Sequence, residues 1–501
     1  MRLTSPAGLS IEFNASGAPR RFDCGSISLA LFIGNELEGG LANLYLRRLG
    51  ERPSWVALLG PASPSRIRAP SAANPGGGGL QAEGAWGGID YSIGFALAQR
   101  APAWFWHVRL TNRGTSAQQL DLSYAQDLAL APYGAVRLNE FYVSQYLDHT
   151  ALEHAERGVV LASRQNQAAD GRYPWSLIGS LRRGVSYATD ALQFYGLASR
   201  LGEQPEGLGS DLPGRRLQHE HSMIVLRDAP LRLEPGQSIA AGFFGTLLAD
   251  HPEATAASDL ERVAVVLALP ESTPAAPEGG TASLPAAATL FSAARLLDAL
   301  ELDEGRLHEL FPGPWRQRES GDRAEPLSFF CGEDRHVVLR AKELQVLRPH
   351  GHILRSGRHL TPDETALTST VWMSGVFHSM LTQGHVSINR ALSTVHSYLS
   401  LFRSHGLRLF AWLEEGWQLL QLPSAFEIAP DACRWIYRYA QGEIEVRSAA
   451  GPTASELELA IEIRAGAPVR LLCSLHVALN DDDGSTDGAA RWRRDGNDIL
   501  L

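Results

Sequence analysis

Apolar and polar residues alternate with a period of two through most of the chain. Leu9, Ile11 and Phe13 alternate near the start; later Trp104, Trp106, Val108 and Leu110 face one way while Phe105, His107, Arg109 and Thr111 face the other. Leu120, Leu122 and Tyr124 repeat the pattern, and short apolar runs follow at 159–162, 175–178 and 222–226. Residues two apart on a strand share a face, so these runs predict half-buried strands. Gly, Pro and Asn turns separate them with no helical periodicity between, which predicts a large antiparallel sandwich over residues 1–250.

The pattern changes at His251. Asp250 can cap a helix running to about Leu269, and a second helix is predicted from Ala286 to Leu302, with Leu290, Ala293, Leu297 and Leu300 on one face. Asp303 is placed to cap a third short turn that ends at Pro312, while 270–285 (PESTPAAPEGGTASLP) reads as linker. Residues 251–325 are therefore expected to be a helical connector. Strand patterns resume at Pro326, with candidates at 337–339, 368–372, 407–412, 417–420 and 435–439. Leu457, Leu459, Ile461 and Ile463 alternate with charged residues, and Leu471, Cys473, Leu475, Val477 and Leu479 are expected to line one buried face. The stretch 385–404 fits a helix or a long β crossover equally well, and 64–79 reads as loop. Ile499–Leu501 reads as the first residues of a strand, so the second sandwich, 326–501, is expected to be incomplete at its C-terminal end. The fold class is thus mainly β: two antiparallel sandwiches joined by a short helical linker.

Composition narrows the function. A chain of 501 residues with 44% hydrophobic and 20% charged residues is ordinary for a globular protein of two or three domains. A net charge of −10, with no block of Lys or Arg, argues against a nucleic-acid partner. No apolar stretch is long enough to span a bilayer, and no basic start with an apolar run marks a signal peptide. The expectation is a cytoplasmic protein without a membrane partner. Cys24, Cys331, Cys433 and Cys473 form no CxxC pair and are expected to be small buried thiols.

Chemistry concentrates in Tyr124 to His149, YAQDLALAPYGAVRLNEFYVSQYLDH. Tyr133, Tyr142 and Tyr146 stand there among Gln126, Asp127, Asn139, Glu140, Gln145 and Asp148. Rings beside amides and carboxylates suit a sugar, whose C–H face stacks while its hydroxyls bond. They equally suit a β-rich segment whose tyrosines pack. Two His-x-His pairs, His219/His221 and His350/His352, lack further ligands at a recognisable spacing, so no metal site is assigned. Glu36 and Glu38 share a face if extended, but spacing nominates no acid/base pair. Arg348, Arg355 and Arg358 with His350 and His352 could meet phosphate, or pair with the acidic surface.

Longer motifs are more specific. SFFCGEDRHVVL, RPHGHILRSG, SGVFHSMLTQGHVSINRALS, GLRLFAWLEEGWQLLQLPSAFEI and CRWIYRY follow in order, preceded by GNELEGGLANLYLRR, GRYPWSLIGS and LPGRRLQHEHSM. This series resembles the 1,2-β-oligoglucan phosphorylases of glycoside hydrolase family 94. The resemblance implies two β-supersandwich domains, inorganic phosphate as co-substrate with no other cofactor, and a β-1,2-glucooligosaccharide as substrate. Phosphate would attack the terminal anomeric carbon with inversion to give α-glucose 1-phosphate. It also implies an (α/α)6 barrel, in cis or on another chain, that carries the general acid. No position here matches the motif that holds that acid, so no catalytic residue is assigned. Substrate contacts are expected from Asn139, Glu140, Tyr142, Gln145 and Tyr146, and from Arg348, His350 and His352. Two other readings stay open: a carbohydrate-binding scaffold without turnover, and a hydrolase using Glu140 and Asp148.

Overall fold

The computed structural model describes all residues except 69–78, 203, 276–281, 359–363, 385–391, 393–398, 400, 415, 454, 479–490 and 501. Most of the stretch 385–404, compatible with helix or crossover, lies outside the described residues. The chain forms two compact units: Met1–Gly196 with Gln204–Ala293, and Leu197–Glu203 with Ala294–Leu501.

In unit 1 the alternating runs pair as expected. Among the described residues they form a five-stranded sheet and a fourteen-stranded sheet, antiparallel but for one parallel pairing at Gly158 and Gly184. Leu9, Ile11, Phe13 and Phe22 from the smaller sheet meet Phe95, Trp104, Trp106 and Tyr124 from the larger one in a single buried layer. Phe22 packs edge-on against Trp104 at 5.0 Å between ring centroids, and Phe13 against Phe95 at 5.3 Å. The strand Ala103–Asn112 is apolar on both faces at its start because Phe105 points the other way, into a second cluster with Trp175 and Phe244. The helix Glu261–Leu267 covers that cluster with Val263 and Val266. Arg47 and Asp121, directly opposite each other on paired strands and almost fully buried, form a two-pronged ion pair at 2.8 and 2.6 Å. Such a pair fixes strand register more than it adds stability.

Unit 2 repeats the plan with two seven-stranded sheets among its described residues. Phe377 and Val371 of one sheet meet Trp435 and Tyr437 of the other, and Trp435 Nε1 donates to the Trp372 carbonyl at 3.1 Å. The outer face is covered by the helix Glu304–Leu310, where Asp303 accepts from Arg306 N at 2.8 Å, the cap expected from the sequence. Arg200, in the segment Leu197–Glu203, is buried and donates to the carbonyls of Glu343, Val346 and Leu347.

Three expectations change. The helix predicted from His251 to Leu269 is only a 3-10 turn, Ala257–Leu260, and the two-turn helix Glu261–Leu267. The helix predicted over Ala286–Leu302 shrinks to Leu290–Ala293. Beyond it Leu297 and Ala299 are buried while Asp298 and Leu300 face out, a period of two, and Arg295–Leu296 pairs with Gln418–Leu419. Of the thiols, Cys331 and Cys433 are buried, but Cys24 is half-buried and Cys473 exposed. The strand Arg470–Leu475 pairs along Leu407–Leu413 with only partial cover, so Cys473 and Leu475 face outward.

Candidate functional site

The segment after the strand Gln118–Asp127 leaves the sheet. Ala131–Pro132 makes a two-residue pairing with Ile27–Ser28, and Pro132 opens the helix Tyr133–Leu138. Asn139, in an extended conformation, then caps a second helix, Glu140–Gln145, its side-chain oxygen accepting from Tyr142 N at 3.0 Å. Helix geometry brings residues four apart to one face, so Tyr142 and Tyr146 meet. Their rings lie 4.7 Å apart, and the Tyr142 hydroxyl donates to that of Tyr146 at 3.1 Å. They are 44% and 37% exposed, and Leu138, at the end of the preceding helix, is 71% exposed. Two phenols on the surface, their ring planes inclined at 52° and flanked by the exposed Gln145, make a small amphipathic platform.

The underside of this helix pair is anchored. Val143 packs with Leu31, Ala129 and Val136, and Gln165 Nε2 donates to the carbonyls of Ala129 and Val143. Ser144 Oγ accepts from Ser222 N at 3.3 Å. His149, fully buried, bonds Ser163 Oγ through Nδ1 at 2.8 Å and Ser222 Oγ through Nε2 at 3.1 Å. Burial pushes its pKa down to about 3, and that of His221 likewise. Sequence reasoning missed His149, Ser163 and Gln165 as supports, because their partners lie on other strands and leave no local pattern.

The carboxylates of the stretch are buried or ion-paired. Glu140 is 3% exposed, beneath the platform rather than on it, and Asp148 pairs with Arg216 at 2.8 Å. Asp127 is pushed up to about 6 by burial, while Leu31 N and Phe32 N donate to it. The cavity beside it, lined by Trp106, Tyr124 and Gln126, has a volume of about 20 Å³, room for a water molecule but not for a sugar ring.

Arg348, His350 and His352 belong to unit 2, at the turn into the strand Gly351–Arg355. Glu343, fully buried, accepts from the His350 backbone at 3.1 Å and contacts His350 Nδ1 at 2.6 Å. Arg348 is exposed and His352 half-buried. On the outer face of the fourteen-stranded sheet lies a polar cleft of about 620 Å³, lined by Arg66, Glu83, Asp90, Ser92, Arg109 and Thr111 among others. The sequence assigns none of these a role.

Two profiles tile this architecture. That of the SOGP N-terminal domain matches residues 12–245, and that of the glycoside phosphorylase supersandwich domain matches residues 313–499. The chain carries an SOGP N-terminal domain followed by a glycoside phosphorylase supersandwich domain. It is 29% identical over 482 residues to the 1,2-β-oligoglucan phosphorylase of Listeria innocua serovar 6a, an alignment covering 96% of this chain and 42% of that protein. The chain thus spans less than half the length of this curated relative. A solved polysaccharide lyase is similar at a TM-score of 0.31 and 10% identity, over 89% of this chain and 47% of the lyase. That likeness carries no argument. The tyrosine platform and the polar cleft both lie within the SOGP N-terminal domain, and the Arg348–His352 turn within the supersandwich domain.

Proposed function

We propose that this chain is the leading, non-catalytic part of an inverting phosphorylase that cleaves β-1,2-glucooligosaccharides with inorganic phosphate, releasing α-glucose 1-phosphate. The observation that carries the reading is the ordered pair of SOGP domains, with identity to a 1,2-β-oligoglucan phosphorylase running along 96% of the chain. Phosphate is already anionic, so in-line attack on the anomeric carbon needs one carboxylic acid to protonate the leaving oxygen and no base. The cavity beside the buried Asp127 is too small for a sugar ring, and the carboxylates of the polar cleft are ion-paired. The longest helices among the described residues have seven residues, too short for the walls of a helical barrel. The acid then comes from a barrel domain, in cis or on another chain.

Within this reading the chain holds glycan. Tyr142 and Tyr146 offer a face to the C–H side of a glucose ring, with Gln145 beside them for hydroxyls and Asn139 behind them as the cap. In unit 2 the turn of Arg348, His350 and His352 supplies donors of the kind an anion accepts, with Glu343 already on His350 Nδ1. A hydrolase using Glu140 and Asp148 fits less well, because one is buried and the other paired. Titration calorimetry with a short β-1,2-glucooligosaccharide should show saturable binding, and Tyr142→Ala should weaken one class of site by roughly fivefold to tenfold. In the presence of phosphate the chain alone should release no glucose 1-phosphate. Release of that product, or failure to bind the glycan at all, would sink the reading.

A further inference from the structure

The polar cleft on unit 1 is built by register rather than by sequence. Arg66 lies opposite Glu83, Glu83 opposite Ser92, and Ser92 opposite Arg109, a single row crossing four strands. A parallel row runs from Ala85 through Asp90 to Thr111. Opposed residues share a face, so all these groups project from the side of the sheet away from the buried layer of Tyr91, Ile93, Val108 and Leu110. Across three strand spacings the two arginines stand roughly 14 Å apart, the length of a short oligosaccharide.

The charges are not arranged as on an idle surface. Glu83 is taken by Arg68 at 2.6 Å and Asp90 by Arg113 at 2.8 Å, both from the margin of the cleft. Arg66 and Arg109 are exposed and, among the described residues, neither is paired with a carboxylate. The floor holds small side chains at Ala85 and Ser92 and none at Gly84. The volume, about 620 Å³, is that of an ordinary small-ligand site. With Arg68 and Arg113 at the margin already on Glu83 and Asp90, the site carries a small positive excess, and its free donors are Arg66, Arg109 and the hydroxyls of Ser92 and Thr111. An anion bound there would lie beside Glu83. A neutral polyol, whose hydroxyls both give and accept, finds a partner at every step.

We propose that this cleft is a second glycan-binding site, distinct from the tyrosine platform, that holds a short stretch of neutral oligosaccharide between Arg66 and Arg109. Its glycan assignment rests on the β-1,2-glucan reading above. Such a site would keep a long chain on the protein while its terminus is processed elsewhere.

Calorimetry with a β-1,2-glucooligosaccharide should give two bound chains per protein. The double variant Arg66→Ala/Arg109→Ala should reduce this to one, with the lost site weakened roughly tenfold or more, and Tyr142→Ala/Tyr146→Ala should remove the other. Lysine at both arginine positions should restore part of the binding. Unfolding temperature serves as the folding control, since both arginines are exposed. If the arginine variant keeps both sites while the tyrosine variant loses one, the cleft proposal fails and the functional reading stands. If another neutral glucan binds and only the arginine variant abolishes it, the cleft stands and the β-1,2 assignment falls. Displacement of the glycan by inorganic phosphate from the arginine-dependent site would make it an anion site and overturn the proposal.

Discussion

His149 shows at the scale of one side chain how the tyrosine surface is held. It has no contact with the exposed phenols, yet it ties together Ser163 and Ser222, the strands on which the platform rests. That role requires a neutral imidazole, and burial enforces it by lowering the pKa to about 3 from an ordinary 6.5. A buried base with a depressed pKa gives stability that is full above 6.5 and lost as pH falls from there toward 3, because the unfolded chain takes up the proton first. His221 acts in the same direction. Asp127 opposes them. Its pKa, raised to about 6 from 3.8, favours the folded state most at low pH, and that share is lost as pH rises through 6. The urea midpoint of unit 1 is therefore expected to fall between pH 7 and pH 4.5, and to fall more steeply in Asp127→Asn, which lacks the compensating carboxyl. A midpoint independent of pH, or a shallower fall in that variant, would contradict this account.

The helix Glu140–Gln145 is the element that carries the tyrosine pair, and it is only six residues long. Isolated, so short a helix would not form; the Asn139 cap and the burial of Val143 and Ser144 hold it. Asn139→Ala should cost about 0.5–2 kcal/mol locally and loosen the tyrosine pair, whereas Asn139→Asp should keep the cap. Hydrogen exchange at 140–145 and glycan affinity should move together; fast exchange with unchanged affinity would show that the platform does not bind. Length also decided what was legible beforehand. Ten-residue strands such as Ala103–Asn112 announce their faces by alternation, so the two-sandwich fold could be read directly. The two short helices between Pro132 and Gln145 carry fewer than two turns each, too little for a periodicity to show. The predicted helix over Ala286–Leu302 failed for the converse reason: its leucines fit a helical stripe on paper, but strand pairing with Gln418–Leu419 won. The cleft was illegible in principle, since Arg66 and Arg109 come to lie in one row only through the register of four strands.

On the scale of the whole chain each unit has its own aromatic core, Trp104 and Trp106 in one and Trp435 and Tyr437 in the other. Separate cores predict separate cooperative transitions. Scanning calorimetry should resolve two, and Trp435→Ala, which opens a cavity in unit 2, should shift one of them by an amount equivalent to about 3–5 kcal/mol while leaving the other in place. A single transition that moves as a whole would show that the units unfold together.

The placement of Arg200 has a consequence for synthesis and for dissection. Seven residues of unit 2 are translated well before the rest of it, within a stretch of chain that otherwise belongs to unit 1. As the polypeptide leaves the ribosome, unit 1 can close once residue 293 has emerged, while Arg200 waits for the carbonyls of Glu343, Val346 and Leu347 to appear. A cut after residue 293 would therefore not yield two whole pieces. The C-terminal fragment would lack an internal prop, leaving those three carbonyls and the Gln421 amide, which donates to Arg200 O, without their partners. Supplied as a separate peptide, 197–203 would act on that fragment as a folding ligand.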